Sequence, residues 1–272
     1  MNRLAIALLL GASAPLAGVA AQKAPDTVFL EELTWEEVRD LLGAGRTSVI
    51  IATAGTEQKG PHMVIGEHKF VLEYTTDKIA RALGNALVAP ILTYVPEGSW
   101  ENPRGHMTKA GTITLPNDRF MELLEHAAKS LRAGGFKDIV LMGDSGGNQN
   151  GMRDVALELN AEWKGSGSRA HFIGDYYTKS SADGHRYLTE RGFKEADIGT
   201  HAGMVDTSEL MFVKPQHVRM NKRAPGGGST DSGVSGDPTR ATTEIGKAIL
   251  QIKIDNAVAQ IKTSLARPEG LP

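Results

Sequence analysis

The sequence has no cysteine among its 272 residues, so it offers neither a disulfide framework nor a thiolate for catalysis or metal binding. Stability must come from packing, and an apolar content of 40% is enough for a substantial core. An excess of one charge is absent too, because 30 Lys and Arg stand against 32 Asp and Glu. The formal net charge of −2 provides no basic surface, which argues against nucleic acid as a partner.

Long apolar runs are missing after residue 21, since no later segment reaches the ~18 apolar residues that span a bilayer. The first 21 residues differ from the rest: a positive start at Asn2-Arg3, an apolar run over 4–10, and small residues at 19–21. This pattern predicts a cleaved secretory signal. A membrane anchor is the alternative, but Gly11, Pro15 and Gly18 interrupt the run. We therefore expect a signal peptide over 1–21, a single domain over 22–272 with no membrane association after cleavage, and a periplasmic or secreted protein.

Strand and helix patterns alternate along the mature chain. Four β-branched or apolar runs predict strands at 47–52, 86–95, 138–142 and 170–173, and helical spacing separates them at 70–83, 116–133 and 152–163. Further helices are expected at 35–42, 182–191 and 242–265, whereas the polar segment 224–238 predicts a mobile surface loop. Units of this kind favour an α/β fold, a three-layer αβα sandwich with a mostly parallel central sheet.

Titratable side chains follow the predicted strands, at the sheet edge where open parallel sheets bind ligands. The first strand leads into 55–62 and then Gly66-Glu67-His68, and the second leads into an irregular loop, 97–111, with Trp100 and His106. Asp144-Ser145 follows the third strand and Asp175-Tyr176-Tyr177 the fourth, and His201 comes later. Histidines and carboxylates beside flexible glycines indicate an enzyme site, with His62, Trp100, His106, Tyr176 and Tyr177 as candidate substrate contacts.

Several of these segments resemble motifs of the creatininase family. Residues 57–62, Glu-Gln-Lys-Gly-Pro-His, with Gly66-Glu67-His68, are similar to the family's Glu-x-His-Gly-Pro-His followed by Gly-Thr-Asp. Residues 111–115 resemble its Gly-Thr-Ile-Ser-Leu, and 143–148 stand where it has Asn-Gly-His-Gly-Gly-Asn. His201-Ala202-Gly203 with 206–208 resembles its His-Ala-Gly and Glu-Thr-Ser. The resemblance extends over about residues 30–250 and implies hydrolysis of an amide or cyclic amide by two divalent metal ions.

Carried over residue by residue, the resemblance implies an altered metal site. Glu57 matches a metal-binding Glu, but Lys59 and Ser145 replace His ligands and His68 replaces the bridging Asp. A protonated lysine cannot bind a metal ion. We therefore expect one divalent ion, zinc or manganese, held by Glu57 and His68 with a carboxylate from Asp144 or Asp206, and Lys59 in place of the second ion.

The resemblance also makes His201 the candidate catalytic residue, and an unperturbed His titrates near neutral pH, as general acid–base catalysis requires. Ser145 is a second candidate as nucleophile, because it is expected at a strand end within reach of a histidine. The expected function is metal-assisted hydrolysis of a small amide, cyclic amide or related ring by a homo-oligomer. The alternatives are a lactone or cyclic keto-sugar hydrolase, and a pseudoenzyme that binds a small ligand.

Overall fold

The chain forms an α/β domain around a parallel sheet, and the computed structural model describes residues 25–227 and 232–267. The predicted signal segment 1–21 lies outside these residues. The sheet has the order β2-β1-β3-β4, with strands β1 (Ser48–Thr53), β2 (Ala86–Val88), β3 (Asp138–Gly143) and β4 (Arg169–Phe172). The helices are α1 (Trp35–Gly43), α2 (Glu67–Leu83), α3 (Asn117–Ala133), α4 (Gln149–Glu162), α5 (Thr178–Thr189), α6 (Glu195–Ile198), α7 (Met204–Val213) and α8 (Thr243–Leu265).

Both faces of the sheet are covered, which confirms the three-layer arrangement. All six residues of β1 are buried, and they alternate between two apolar clusters. Val49 and Ile51 pack into the cluster that contains Phe120 of α3. Ile50 and Ala52 pack into the cluster on the opposite face, with residues of α2 and α8. Because both faces of a parallel strand are buried, the central residues of β1 and β3 are apolar instead of alternating with polar residues.

The second strand is shorter than predicted. Residues 86–95 were expected to be extended in the sheet, but the ladder ends at Val88. Pro90 has no N–H to donate to a ladder, so the chain leaves the sheet there and contacts β1 again only through a bridge between Leu92 and Thr53. The segment after Leu92 then runs toward the carboxyl edge of the sheet, where Glu97 lies.

The prediction of a mobile loop at 224–238 was wrong for the part that the structure describes. Two short antiparallel strands, β5 (Gly226–Gly227) and β6 (Ser235–Gly236), pair there. Val234 is buried in an apolar cluster, and Ser235 pairs with His201. The polar composition gave no indication of this packing. The contacts that hold the segment are one buried Val side chain and backbone pairing, and neither is visible in the composition.

A helix that the sequence analysis missed, α7, packs closely against α8. A Cβ atom on Gly246 of α8 would lie 1.9 Å from the backbone oxygen of Ser208 in α7, so only glycine allows this approach. The contact places the buried face of α8 beside the carboxyl edge of the sheet. Among the described residues, no helix combines the length and apolarity needed to cross a membrane.

Candidate active site

A cavity of about 930 Å³ opens at the carboxyl edge of the sheet. The loops after β1, β2, β3 and β4 all contribute to its wall, as expected for an open parallel sheet. One end is rich in charge and the other is lined by residues of α5 and α8. The charged end contains nine ionisable side chains, from three loops and three helices: Glu57, Lys59, Glu67, His68, Glu97, Asp144, Asp206, Glu209 and Lys253.

Lys59 is the centre of the inner part of this site. Its ammonium group is 3.0 Å from Asp206, 3.2 Å from Glu57 and 3.3 Å from Glu67, and its side chain is 2% exposed. Burial alone would lower the pKa of Lys59, but the three carboxyl groups raise it well above its usual value. The side chain is therefore a fixed positive charge among acids.

Lys253 supplies a second buried ammonium group. It lies on α8 and donates to Asp144 and Glu209, both at 2.9 Å. Burial raises the pKa of Glu209 to about 8, whereas Lys253 and His68 outweigh burial and hold the pKa of Asp144 below its usual value. Asp144 is thus an anion between two cations, and Glu209 is protonated at pH 7.

His68 joins the two lysine clusters. Its Nε2 is 2.9 Å from Glu57 and its Nδ1 is 3.2 Å from Asp144, so both ring nitrogens face carboxylates. Burial alone would lower the pKa of His68, yet the surrounding carboxylates raise it well above its usual value. An imidazolium donates from both nitrogens and has no lone pair left for a metal ion.

Glu57 extends from this inner cluster toward two histidines nearer the cavity opening. Its Oε2 is 3.3 Å from Nε2 of His106, and its Oε1 is 3.7 Å from Nδ1 of His201. The two imidazole rings lie with their centroids 4.4 Å apart. Burial and then the charge of Lys59 lower the pKa of His201 to about 4, so this ring is neutral at pH 7.

Gln58 contacts the far side of both rings. Its side-chain amide is 3.0 Å from Nδ1 of His106 and 3.0 Å from Nε2 of His201. Its backbone carbonyl accepts from Nε2 of His201 at 2.8 Å. A carbonyl only accepts, so this contact puts the proton of His201 on Nε2 and leaves Nδ1 with its lone pair toward Glu57. The side-chain amide then faces Nε2 favourably only when its oxygen and nitrogen are interchanged.

Glu97 brings a further carboxyl group to Glu57. Burial, together with the charge of Glu57 and a hydrogen bond to it, raises the pKa of Glu97 to about 9. Its Oε1 is buried and has no hydrogen-bond partner. At pH 7 the side chain is a carboxylic acid that faces the cavity.

The structure brings together most of the predicted site residues but not all of them. Glu57, Lys59, His68, His106, Asp144, Ser145, Tyr177, His201 and Asp206 line the cavity. Trp100 is 57% exposed and does not line it. Tyr176 is fully buried and bonded to Thr75, and His62 is buried and bonded to Thr207. The prediction of substrate contacts therefore fails for Trp100, Tyr176 and His62. A position in a loop beside the site does not determine whether the side chain points into the cavity.

Five residues of the site were not among the predicted ones: Gln58, Glu67, Glu97, Glu209 and Lys253. Gln58 and Glu67 stand within recognised motifs, at positions that the family comparison did not single out. Lys253 had a usable signal, since it falls between Leu250 and Ile254 on the apolar stripe of α8 and is therefore buried. A lysine on a buried stripe needs a partner, which could have suggested a contact with the acids.

Comparison with known proteins agrees with this fold and site. The profile of the creatininase family, described as creatinine amidohydrolase, matches residues 31–261. A mycofactocin precursor peptide peptidase from Mycobacterium ulcerans (strain Agy99) is 25% identical, over 82% of this chain and 88% of its own. A creatinine amidohydrolase from Pseudomonas putida is 26% identical, over 72% of this chain and 75% of its own. Solved creatininases, among them a manganese form, superpose with a TM-score of 0.71 at 21% identity, over 89% of this chain and all of theirs.

Fold and site together define an α/β hydrolase that acts on C–N amide bonds. The chain belongs to the creatininase family, because the family profile covers most of its length. Metal binding is documented for the relatives: besides the manganese form, the solved neighbours include a mutant creatininase of Zn–Zn type. In this chain two groups of described residues have ligand atoms close enough to hold a metal ion, Glu57-His106-His201 and Glu67-His68-Asp144.

The ligand set expected from the sequence does not fit one ion. Glu57 contacts Nε2 of His68, whereas Asp144 contacts Nδ1 on the other side of the same ring. Asp206 is bonded to Lys59 at 3.0 Å. Glu57, His68 and either aspartate therefore cannot converge on one point. The substitution that put a histidine between the two carboxylates explains this, because imidazole nitrogens point in different directions.

Proposed function

We propose that the chain hydrolyses the C–N bond of an amide substrate larger than a single small ring, with a short peptide as the best-supported substrate class. The size of the cavity carries this proposal. Beyond the charged end it continues along Thr178, Ser181 and His185 of α5, and its volume of about 930 Å³ suits an extended ligand. The similarity to a peptide peptidase supports the same substrate class. A small cyclic amide, as expected from the sequence, would fill only the charged end.

The reaction needs an activated water molecule and a proton donor for the leaving nitrogen. One divalent ion, with Glu57 among its ligands, would supply the first by lowering the pKa of bound water and polarising the carbonyl. The predicted donor, His201, has a pKa of about 4, so at pH 7 it is a neutral imidazole and only a weak acid. Glu97 is protonated at pH 7, since burial and the nearby Glu57 raise its pKa to about 9. We therefore assign the donor role to Glu97 instead of His201.

Ser145 is at the cavity wall but lacks the partner that a serine nucleophile needs. In the described part of the chain, no hydrogen bond joins its hydroxyl group to a histidine, whereas a serine nucleophile requires a base within hydrogen-bond reach. Its backbone oxygen accepts from Gln149, which fixes the loop. Ser145 accordingly shapes the wall beside Gly146 and Gly147 in our proposal.

A substrate panel tests the proposed function. Purified protein is incubated with short peptides, N-acyl amino acids and creatinine, and cleavage is followed by mass spectrometry. We expect peptides to be cleaved and creatinine to be a poor substrate. Ser181→Trp, which fills the far part of the cavity, should slow cleavage of peptides more than of any small amide, with Ser181→Ala as the matched control. Turnover of creatinine alone would contradict a peptide substrate. Turnover of a lactone alone would favour the lactone hydrolase, and ligand binding without any turnover would favour the pseudoenzyme.

We further propose that the protein is exported and acts as a homo-oligomer in the periplasm or medium. The signal-like composition of residues 1–21 supports export. N-terminal sequencing of material from the periplasm or medium should give a start near residue 21 or 22, and an intact Met1 in a membrane fraction would contradict it. Light scattering of the purified protein measures the oligomeric state, and a monomer would contradict the proposed homo-oligomer.

A further inference from the structure

The buried cations leave no space for metal ions in the inner part of the site. Lys59 stands among three carboxyl groups, and Lys253 binds Asp144 and Glu209. A divalent ion at Glu67-His68-Asp144 would lie next to both ammonium groups and would repel them strongly in a poorly screened interior. The inner set also depends on a ring whose two nitrogens already donate to carboxylates.

We propose that this chain binds a single divalent metal ion at the outer end of the cluster, through Glu57, His106 and His201. One ligand atom from each lies within 4.8 Å of the others. Ligand atoms at ~2.0–2.2 Å from one ion in a tetrahedral site are ~3.3–3.6 Å apart, so the three side chains would draw closer together around an ion. Two imidazoles and one carboxylate, with an open position for water, form a ligand set of the kind found in catalytic zinc sites. Only Glu57 in this set coincides with a ligand expected from the sequence.

The orientation of the two rings supports the outer site. The lone pair of Nδ1 in His201 faces the Glu57 carboxylate, because the Gln58 carbonyl takes the proton on Nε2. A lone pair opposite a carboxylate is unfavourable unless a cation lies between them. Metal-bound histidines regularly donate their second N–H to a carbonyl, and His201 has this arrangement.

His106 can likewise donate its second N–H to an oxygen, in this case that of the Gln58 side chain. The ligand nitrogen is Nε2, so on binding the ring proton moves to Nδ1, 3.0 Å from the Gln58 amide. When that amide turns over, its oxygen accepts from His106 and gives up its present bond from the Gly60 N–H at 3.0 Å. Gln58 thus positions both rings without touching the ion.

Glu97 lies beside this set but is not one of its ligands. Its Oε1 is buried without a hydrogen-bond partner, and its carboxyl group is bonded to Glu57. The inner cations then act as fixed charges that replace the family's remaining metal ion, while metal chemistry is confined to the outer site.

Metal binding tests the site independently of the proposed hydrolysis. Protein stripped with a chelator is titrated with Co²⁺ and Zn²⁺, following visible absorption, and the bound metal is counted by elemental analysis. We expect one ion per chain. His106→Gln and Glu57→Gln should weaken binding by roughly 100-fold or more, and Gln58→Ala by about 10–100-fold, as for residues that orient a ligand. His126→Gln, an exposed histidine on α3, is the matched control and should bind as wild type.

X-ray absorption on the Zn²⁺-loaded wild-type protein avoids any dependence on the folding of variants. The outer site gives two imidazoles per zinc, whereas Glu67-His68-Asp144 would give one. One imidazole, two tightly bound ions, no bound ion, or wild-type affinity in a folded His106→Gln protein would each overturn the proposal. The proposal serves the proposed hydrolysis, but an inactive protein that binds one ion through two imidazoles would refute the function and leave the site intact.

Discussion

Two networks of buried charge lie at opposite edges of the sheet, and they differ in how they are built. At the amino edge, Asp138 at the start of β3 binds Arg169 at 2.7 Å and His171 at 3.0 Å. At the carboxyl edge, six acids surround Lys59, Lys253 and His68. In the amino-edge network, the single carboxylate of Asp138 is paired with both Arg169 and His171. The carboxyl-edge network leaves buried carboxyl oxygens of Glu67, Glu97 and Glu209 without hydrogen-bond partners.

This difference separates a structural network from a functional one. Fully paired charges fix strand register, which is what Asp138 does by joining two adjacent strands. Buried carboxyl oxygens without a hydrogen-bond partner cost stability, and folds retain them where binding or catalysis needs them. The carboxyl edge should therefore respond to substitution by large changes in both stability and function, and the amino edge by smaller changes in stability alone.

The largest effect is expected for Lys59→Met. The substitution removes the ammonium group shared by Glu57, Glu67 and Asp206 and leaves His68 as the nearest counter-charge for these buried acids. Removing one partner of a buried ion pair typically costs about 3–5 kcal/mol. Urea unfolding at pH 7 measures the loss. A free energy of unfolding within ~1 kcal/mol of wild type would mean that Lys59 does not balance these charges.

Lys253→Met should have a smaller effect. It removes two charge-assisted hydrogen bonds, but Glu209 is protonated at pH 7 and loses little. We expect a loss of about 2–3 kcal/mol, the range for hydrogen bonds to charged groups. Adding Asp144→Asn to Lys253→Met gives a double-mutant cycle, and strictly additive losses in that cycle would show that the two residues do not interact.

Asp138→Asn tests the amino edge and should cost roughly 1–2 kcal/mol, because Asn keeps the shape and loses the charge. His171 and Arg169 outweigh burial and hold the pKa of Asp138 below its ordinary value of 3.8. A lowered pKa stabilises the fold above the ordinary value, and this contribution is lost as pH falls through the folded-state pKa. Unfolding measured from pH 6 to pH 2 should therefore show the wild-type advantage shrinking below about pH 4. An advantage that is constant over this range would contradict the assignment.

The smallest effect is expected for Lys129→Met on α3, a half-exposed lysine between Glu125 and Glu162. Solvent and salt screen such pairs, so their net contribution is small. We expect no change in the free energy of unfolding beyond experimental error in 0.15 M salt. A loss of stability comparable to that of Asp138→Asn would mean that surface and buried ion pairs contribute equally in this protein.

The layered α/β fold was predictable because it follows from local patterns. Strands β1, β3 and β4 lie within one or two residues of their predicted positions, and α1 begins where it was predicted, after the capping box of Thr34 and Glu37. The second strand was overestimated because sequence patterns do not weigh the missing N–H of Pro90. Helix α7 was missed because the motif it carries, Asp206-Thr207-Ser208, does not show a clear apolar stripe.

By itself the sequence determined that the chain folds as a parallel α/β domain, which loops meet at the carboxyl edge, and that Glu57, Lys59, His68 and His201 belong to one site. These follow from hydrophobic period and motif order, which are properties of neighbouring residues. Only the tertiary structure decided that Lys253 reaches Asp144, that His68 divides two carboxylates, and that Gln58 orients two histidines. Such contacts depend on side-chain directions and on residues far apart in the chain, and an ion pair or a ligand set exists only at distances of a few ångströms.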